Sequence, residues 1–257
     1  MSLLVDVSTL RVAYLGPADQ LVRQRAVLGA THVQRLEDAA TATVLCMAAP
    51  ADARFRLAEA ALKKGLHLLL AWPPTASLTE AEALVRLGEE AGVEIGVSRP
   101  LRFHPEVARW PKRAQLVHLT QVVPEATQPP PWARWMADAV DLCCALAQSH
   151  SVQRIDAEAV RGDVPWPAAL GAGLRFHSGT YAQLHVRRAP TDHRYQVYLG
   201  RGAQQQVIDL TTAQEEAAAA EARAFARAVA EGRPPPVSML EAFHTLRLVE
   251  RLMTRLR

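Results

Sequence analysis

The first residues whose types and spacing could do chemistry stand in a turn. Residues 11–16, RVAYLG, form a short apolar run that ends in glycine, and Pro17-Ala18-Asp19-Gln20-Leu21 leads from it into helix-forming residues up to Leu28. A strand, a glycine turn and a helix N-terminus present free backbone N–H groups to a phosphate. Of the dinucleotide fingerprint G-x-G-x-x-G only Gly16 survives. Ala18 is small but keeps a Cβ where the backbone should approach a pyrophosphate, and Asp19 caps a helix while repelling an anion. Gly16, Pro17 and Ala18 are the candidate phosphate contacts, with an ordinary strand-to-helix turn as the alternative. An acid that holds a ribose belongs about 20 residues further on. Glu37 stands there beside Asp38; the alternative is a solvated loop or a turn cap.

The remaining reactive side chains are scattered. Cys46, Cys143 and Cys144 make neither a disulfide framework nor a Cys-x-x-Cys metal spacing, which implies a reducing compartment. His67 sits in an apolar run and reads as a core residue, while His177 and His193 fall in turns without metal geometry; no metal is expected. Trp132 and Trp135 follow a proline-rich loop and could wall a substrate pocket or pack as core.

Elements must position these residues. The chain has 257 residues, 49% hydrophobic and 21% charged, enough for a large core in one or two domains. Its net charge of +3 is small and well mixed, which argues against a nucleic-acid surface. No basic run precedes an apolar one at Met1–Val7, and no apolar run approaches the ~20 residues that span a bilayer, so neither leader nor membrane span is expected and the location expected is cytoplasmic. Strand-like runs at 11–16, 31–36, 43–49, 66–71 and 93–97 alternate with helical stretches at 18–28, 54–64 and from Ser77 or Thr79 to Ala91. That alternation predicts a parallel α/β sheet over the first ~100 residues. Strand-like runs at 116–123, 152–160, 173–176, 180–186, 195–199 and 205–210, with helices at 132–147, 214–231 and 240–257, predict a mostly antiparallel α+β second domain. The division expected is 1–100 and 101–257, with the last helix packing back on the first domain.

Ala48-Ala49-Pro50, then AALKKGLHLLLAWPP at 60–74, RPLRFHP at 99–105 and MADAVDLCCAL at 136–146 resemble, in order, motifs of the Gfo/Idh/MocA family of NAD(P)-dependent sugar oxidoreductases. Gly65, His67 and Pro73 match its G-k-H-V-x-x-E-K-P; Arg102, Phe103 and Pro105 match its R-F-x-P; Asp141 and Leu142 match its H-x-x-D-L. The resemblance covers nearly the whole chain and implies a Rossmann-like N-terminal domain, an α+β C-terminal domain and a homodimer. It also implies a cofactor, NAD or NADP, across Gly16, Ala49, Pro50, Arg54, Trp72 and Pro73. Substrate would lie near Arg102, His104 and Trp132.

The departures fall on the chemistry. The family's catalytic lysine position is Trp72 and its histidine position is Asp138; Arg54 replaces a third pocket histidine. A hydride transfer needs a group that takes or gives the hydroxyl proton, and an indole N–H only donates. Asp138 is the candidate general base, given burial that raises its pKa, and Asp141 is a supporting or structural acid. Gly16 and Ala48 are only 32 residues apart, which leaves no room for a strand, a full helix and a further strand–helix step, so one βα unit of the family is missing. The function implied is an NAD(P)-dependent oxidoreductase acting on a sugar-like or other small alcohol or carbonyl compound. The alternative is a non-catalytic relative that binds a small ligand, cofactor or partner protein as a sensor or scaffold; a tryptophan at the lysine position is similar to the family's regulatory branch.

Overall fold

The computed structural model describes residues 10–17, 21–110, 113–124, 132–161, 167–189 and 194–256. The strands are β1 (Val12–Leu15), β2 (Thr31–Val33), β3 (Val44–Met47), β4 (His67–Leu70), β5 (Ile95–Val97), β6 (Leu116–Pro124), β7 (Val152–Arg161), β8 (Pro167–Phe176), β9 (Tyr181–Ala189), β10 (Arg194–Arg201) and β11 (Gln204–Asp209). The helices are α1 (Val22–Val27), α2 (Ala51–Leu62), α3 (Leu78–Ala91), α4 (Pro105–Ala108), α5 (Trp132–Ala147), α6 (Gln214–Ala230) and α7 (Met239–Arg255). Two compact units result: Met1–Pro100 with Glu215–Phe243, and Leu101–Gln214 with His244–Arg257. Residues 215–243 therefore lie in the first unit, outside the 101–257 domain expected from sequence. The helix this brings to the first unit is α6, whereas most of the last helix, α7, lies in the second.

The first unit is a parallel sheet of order β2-β1-β3-β4-β5. VAYL and VLCM are buried at every position, the signature of strands covered on both faces. Phe225 and Val229 of α6 pack onto one face with Val12, Tyr14, Val44, Cys46 and Leu69. A Cβ at Gly96 would stand 2.8 Å from the Phe225 ring, so a glycine in β5 is what lets α6 come this close. The chain beyond α6 then bonds to β5, the Val97 N–H donating to the Val237 carbonyl at 2.9 Å. Between β2 and β3 the chain makes only a 3-10 turn at Leu36–Ala39, where sequence had suggested a strand as far as residue 36. The sheet is thus the doubly wound order 3-2-1-4-5-6 without its strand 3.

The second unit is a six-stranded sheet of order β11-β10-β6-β9-β8-β7, parallel only between β6 and β9. Ala182, Leu184 and Val186 of β9 are buried, and the residues between them face the other way. The apolar helix α5 packs on β6 and β9. β8 starts at Pro167, earlier than expected, because its first half is built of alanine and glycine, which carry little strand signal.

Candidate functional site

In the first unit the strand order reverses between β1 and β3, and ligands of open α/β sheets bind outside the carboxyl ends of the strands at such a point. Gly16 ends β1 here with φ +147°. A Cβ at Gly16 would lie 2.9 Å from both the carbonyl carbon and the Cβ of Ala48, so the two chain ends meet backbone to backbone. His32 Nε2 lies 3.3 Å from the Gly16 carbonyl, and the buried Tyr14 hydroxyl donates to the Pro17 carbonyl. Arg25 of α1 stacks over the Tyr14 ring at 4.9 Å. Sequence reasoning did not single out His32 or Tyr14; both reach the turn only through strand pairing. Pro17 and Pro50 are exposed, as is Glu37, which lies in the 3-10 turn after β2. Ala18 lies outside the described residues.

The carboxyl ends of β3 and β4 are tied by Arg54. Its guanidinium, 3% exposed, donates to the Ala49 carbonyl at 2.8 Å, to the Ala71 carbonyl at 2.7 Å and to the Pro73 carbonyl. Arg54 was expected at a cofactor; its donors instead close the loop ends, because an arginine fork buried here must find carbonyl acceptors. Trp72 and Pro73, joined by a cis peptide, follow β4. The half-buried Trp72 ring, expected at the cofactor, carries the Arg99 guanidinium 3.2 Å from its centroid, so a cation occupies one face of the ring.

Arg99 is itself placed by a buried acid. Glu221 of α6 accepts from the Arg99 backbone N–H, from Ser98 Oγ at 2.8 Å and from Gln24 Nε2 at 2.7 Å. Burial pushes its carboxyl up to about 7, although these hydrogen bonds and the Arg99 charge pull the other way. Glu221 was absent from the sequence reading, since an acid in an alanine-rich helix looks solvated until α6 is placed.

In the second unit Arg102 makes a two-pronged bond to Asp141, Nε to Oδ2 and Nη2 to Oδ1, both at 2.8 Å. Their side chains are 9% and 3% exposed, and Thr245 Oγ1 lies 3.4 Å from Asp141 Oδ1. Asp141 therefore serves as the anchor of Arg102, and a carboxylate so engaged is a poor proton acceptor. Asp138 stands three residues earlier on α5, on the same side of the helix, and is half-buried. His104, expected at substrate, is 1% exposed and caps α4: its Nδ1 accepts from the Glu106 N–H at 3.4 Å, and Nε2 lies 3.5 Å from Thr212 Oγ1. Trp132 is 8% exposed and meets Trp135 edge-on at 5.4 Å. Among the described residues no three His, Cys, Asp or Glu side chains gather as a metal site, and no helix is long and apolar enough to cross a membrane.

Several solved structures superpose on nearly the whole chain. UDP-N-acetylglucosamine 3-dehydrogenase GnnA from Acidithiobacillus ferrooxidans does so with a TM-score of 0.84 at 16% identity, over 96% of this chain and 97% of that one. Scyllo-inositol dehydrogenase from Lactobacillus casei, with NAD(H) and scyllo-inositol bound, gives 0.78 at 10% identity over 96% and 97%. GenD2 from gentamicin A biosynthesis, in complex with NAD, gives 0.76 at 15% over 96% and 93%. The fold is that of the Gfo/Idh/MocA-type dehydrogenases. No family model matches the sequence, and no curated protein matches it either.

Proposed function

We propose that this protein is an NAD(P)-dependent oxidoreductase of the Gfo/Idh/MocA type that acts on a sugar-like or other small alcohol or carbonyl compound. The observation that carries this reading is the close approach of Gly16 to Ala48 at the point where the strand order reverses. A dinucleotide needs bare backbone there, and the residues present fit one: Gly16, Pro17 and Ala49-Pro50 flank the turn. GnnA and scyllo-inositol dehydrogenase, which share the fold, act on a nucleotide sugar and a cyclitol, and this supports a polyol-like substrate.

Bound NAD(P) would supply the hydride acceptor or donor. The chain's own residues supply the rest. Arg54 holds the ends of β3 and β4 at fixed spacing beneath Pro50 and Pro73. Arg102, locked by Asp141, is a positioning residue, and Asp138 is the candidate that takes the hydroxyl proton. Titration with NADH and NADPH, followed by tryptophan and nicotinamide fluorescence, tests the reading. Saturable binding of either is expected, and absence of binding to both overturns it. Among variants, Asp138→Asn is expected to lower kcat by about 10²–10⁴ with cofactor affinity unchanged; unchanged kcat removes Asp138 from the reaction.

One observation favours the second reading, a non-catalytic relative that senses a small ligand. A Trp72 ring stacked under Arg99 stands where the family resemblance puts a lysine, and neither group titrates usefully as an acid or base near neutrality. Cofactor binding without turnover over a panel of polyols and their ketones is its expected signature.

The proposal extends to a cytoplasmic homodimer. Cys46, Cys143 and Cys144 are buried and in no disulfide, as a reducing compartment leads one to expect. The sheet face of the second unit opposite α5 carries Leu116, Tyr181 and Val207 at 38%, 43% and 62% exposure, an apolar patch suited to a second copy of the chain.

A further inference from the structure

The second unit contains a cleft of about 380 Å³ that none of the residues discussed so far lines. His150, Ser151 and Val152 form one wall, where the chain leaves α5 and enters β7. His244, Arg247, Leu248 and Arg251 form the other, one stripe of α7 at a spacing of three and four residues. Four of these seven residues are basic or imidazole, one is a hydroxyl and two are apolar; none is acidic. The His150 and His244 rings lie 5.7 Å apart. His150 Nε2 is buried and has no hydrogen-bond partner among the described residues, an orphaned polar atom of the kind that a ligand satisfies.

We propose that this cleft binds a small phosphate monoester, its phosphoryl group held by Arg247, Arg251 and the two imidazoles and its carbon skeleton lying on Val152 and Leu248. Guanidinium forks suit phosphate oxygens, and two of them on successive turns of one helix can share a single phosphoryl group. The volume falls within the range of small-molecule sites, about 300–1,000 Å³. The electrostatics agree. Burial first, then the Arg102 and His244 charges, push His150 down to about 4, while Asp141 opposes them. The seven residues that line the cleft include two arginines and two histidines and no acid. A bound dianion would raise the pKa of His150 and His244 together, because it favours their charged forms. The site lies wholly within the second unit and does not depend on cofactor binding.

The test is a titration of the full chain with inorganic phosphate and with glycerol 3-phosphate at constant ionic strength, chloride serving as the counter-titrant. The readout is the ring C–H resonances of His150 and His244, with His67 of the first unit as an internal reference. Saturable shifts at His150 and His244, with a rise in their titration midpoints, are expected. The exposed-site variant Arg247→Gln/Arg251→Gln is expected to weaken binding about tenfold or more. Saturation with glycerol 3-phosphate tighter than with inorganic phosphate supports the monoester. Shifts that saturate with neither, that chloride reproduces, or that the double variant leaves unchanged overturn the proposal.

Discussion

Glu221 is a carboxyl that the fold has taken out of water, and its stability consequences have a definite sign. Its folded pKa of about 7 lies above the ordinary 4.5, so the folded chain binds this proton more tightly than the unfolded chain does. The contribution is fully present below about pH 4.5 and is lost as pH rises toward 7, by roughly 3 kcal/mol. Glu221→Gln keeps an acceptor for the Arg99 N–H and removes the titration. Its Tm relative to wild type is therefore expected to climb between about pH 5 and 8; parallel Tm–pH curves would show that the carboxyl is not titrating in the folded protein. Arg102 and Asp141 form a buried forked pair. Asp141→Asn takes from the Arg102 guanidinium the carboxylate it is forked onto and should cost about 3–5 kcal/mol, read from the urea midpoint. Neither consequence could be read from sequence. Asp141 was legible as an important acid through its place in a motif, yet its role as an anchor depends on the Arg102 fork closing 39 residues away.

At the scale of elements, the critical junction is the turn after β1. Gly16 combines φ +147° with a would-be Cβ contact of 2.9 Å to backbone and side-chain carbon of Ala48. Gly16→Ala should cost about 1–3 kcal/mol of stability and weaken NAD(P)H binding together, since the strand ends must part. Retained affinity in a destabilised variant would separate the turn from the cofactor. The elements themselves were largely visible beforehand: VAYL, VLCM and HLLL read as buried parallel strands because helices cover both faces and no polar alternation is needed. The short helix at Pro105–Ala108 and the first half of β8 were not visible, because four residues show no period and alanine–glycine runs show no propensity.

At the scale of the whole molecule, the prediction concerns self-association. Leu116→Glu places a charge on the open sheet face beside Tyr181, its register partner on β9. The homodimer reading predicts that wild type sediments as a dimer and that this variant sediments as a folded monomer; a wild-type monomer would dispose of it. Division into units was only partly legible. The change from βα alternation to successive strands near residue 100 is written in the periodicity, whereas the return of 215–243 to the first unit is not. An amphipathic alanine-rich helix reports that it has a buried face without reporting which sheet covers it.

By itself the sequence determined the fold class, because strand and helix periods and their alternation are local properties that each segment carries alone. It also carried the motif resemblance in which Trp72 and Asp138 stand at the expected lysine and histidine positions, since identity at a motif position needs no coordinates. Only the tertiary structure decided what Arg54, Glu221, His104 and Asp141 do. Each is a polar side chain buried far from its own segment, and the partners that satisfy it, carbonyls of β3 and β4, Ser98 and Gln24, Thr212, and Arg102 with Thr245, come together only when distant elements pack. The basic cleft of the second unit has the same origin. His150 and His244 lie 94 residues apart in the chain, and no spacing rule joins them until α7 lies against the start of β7.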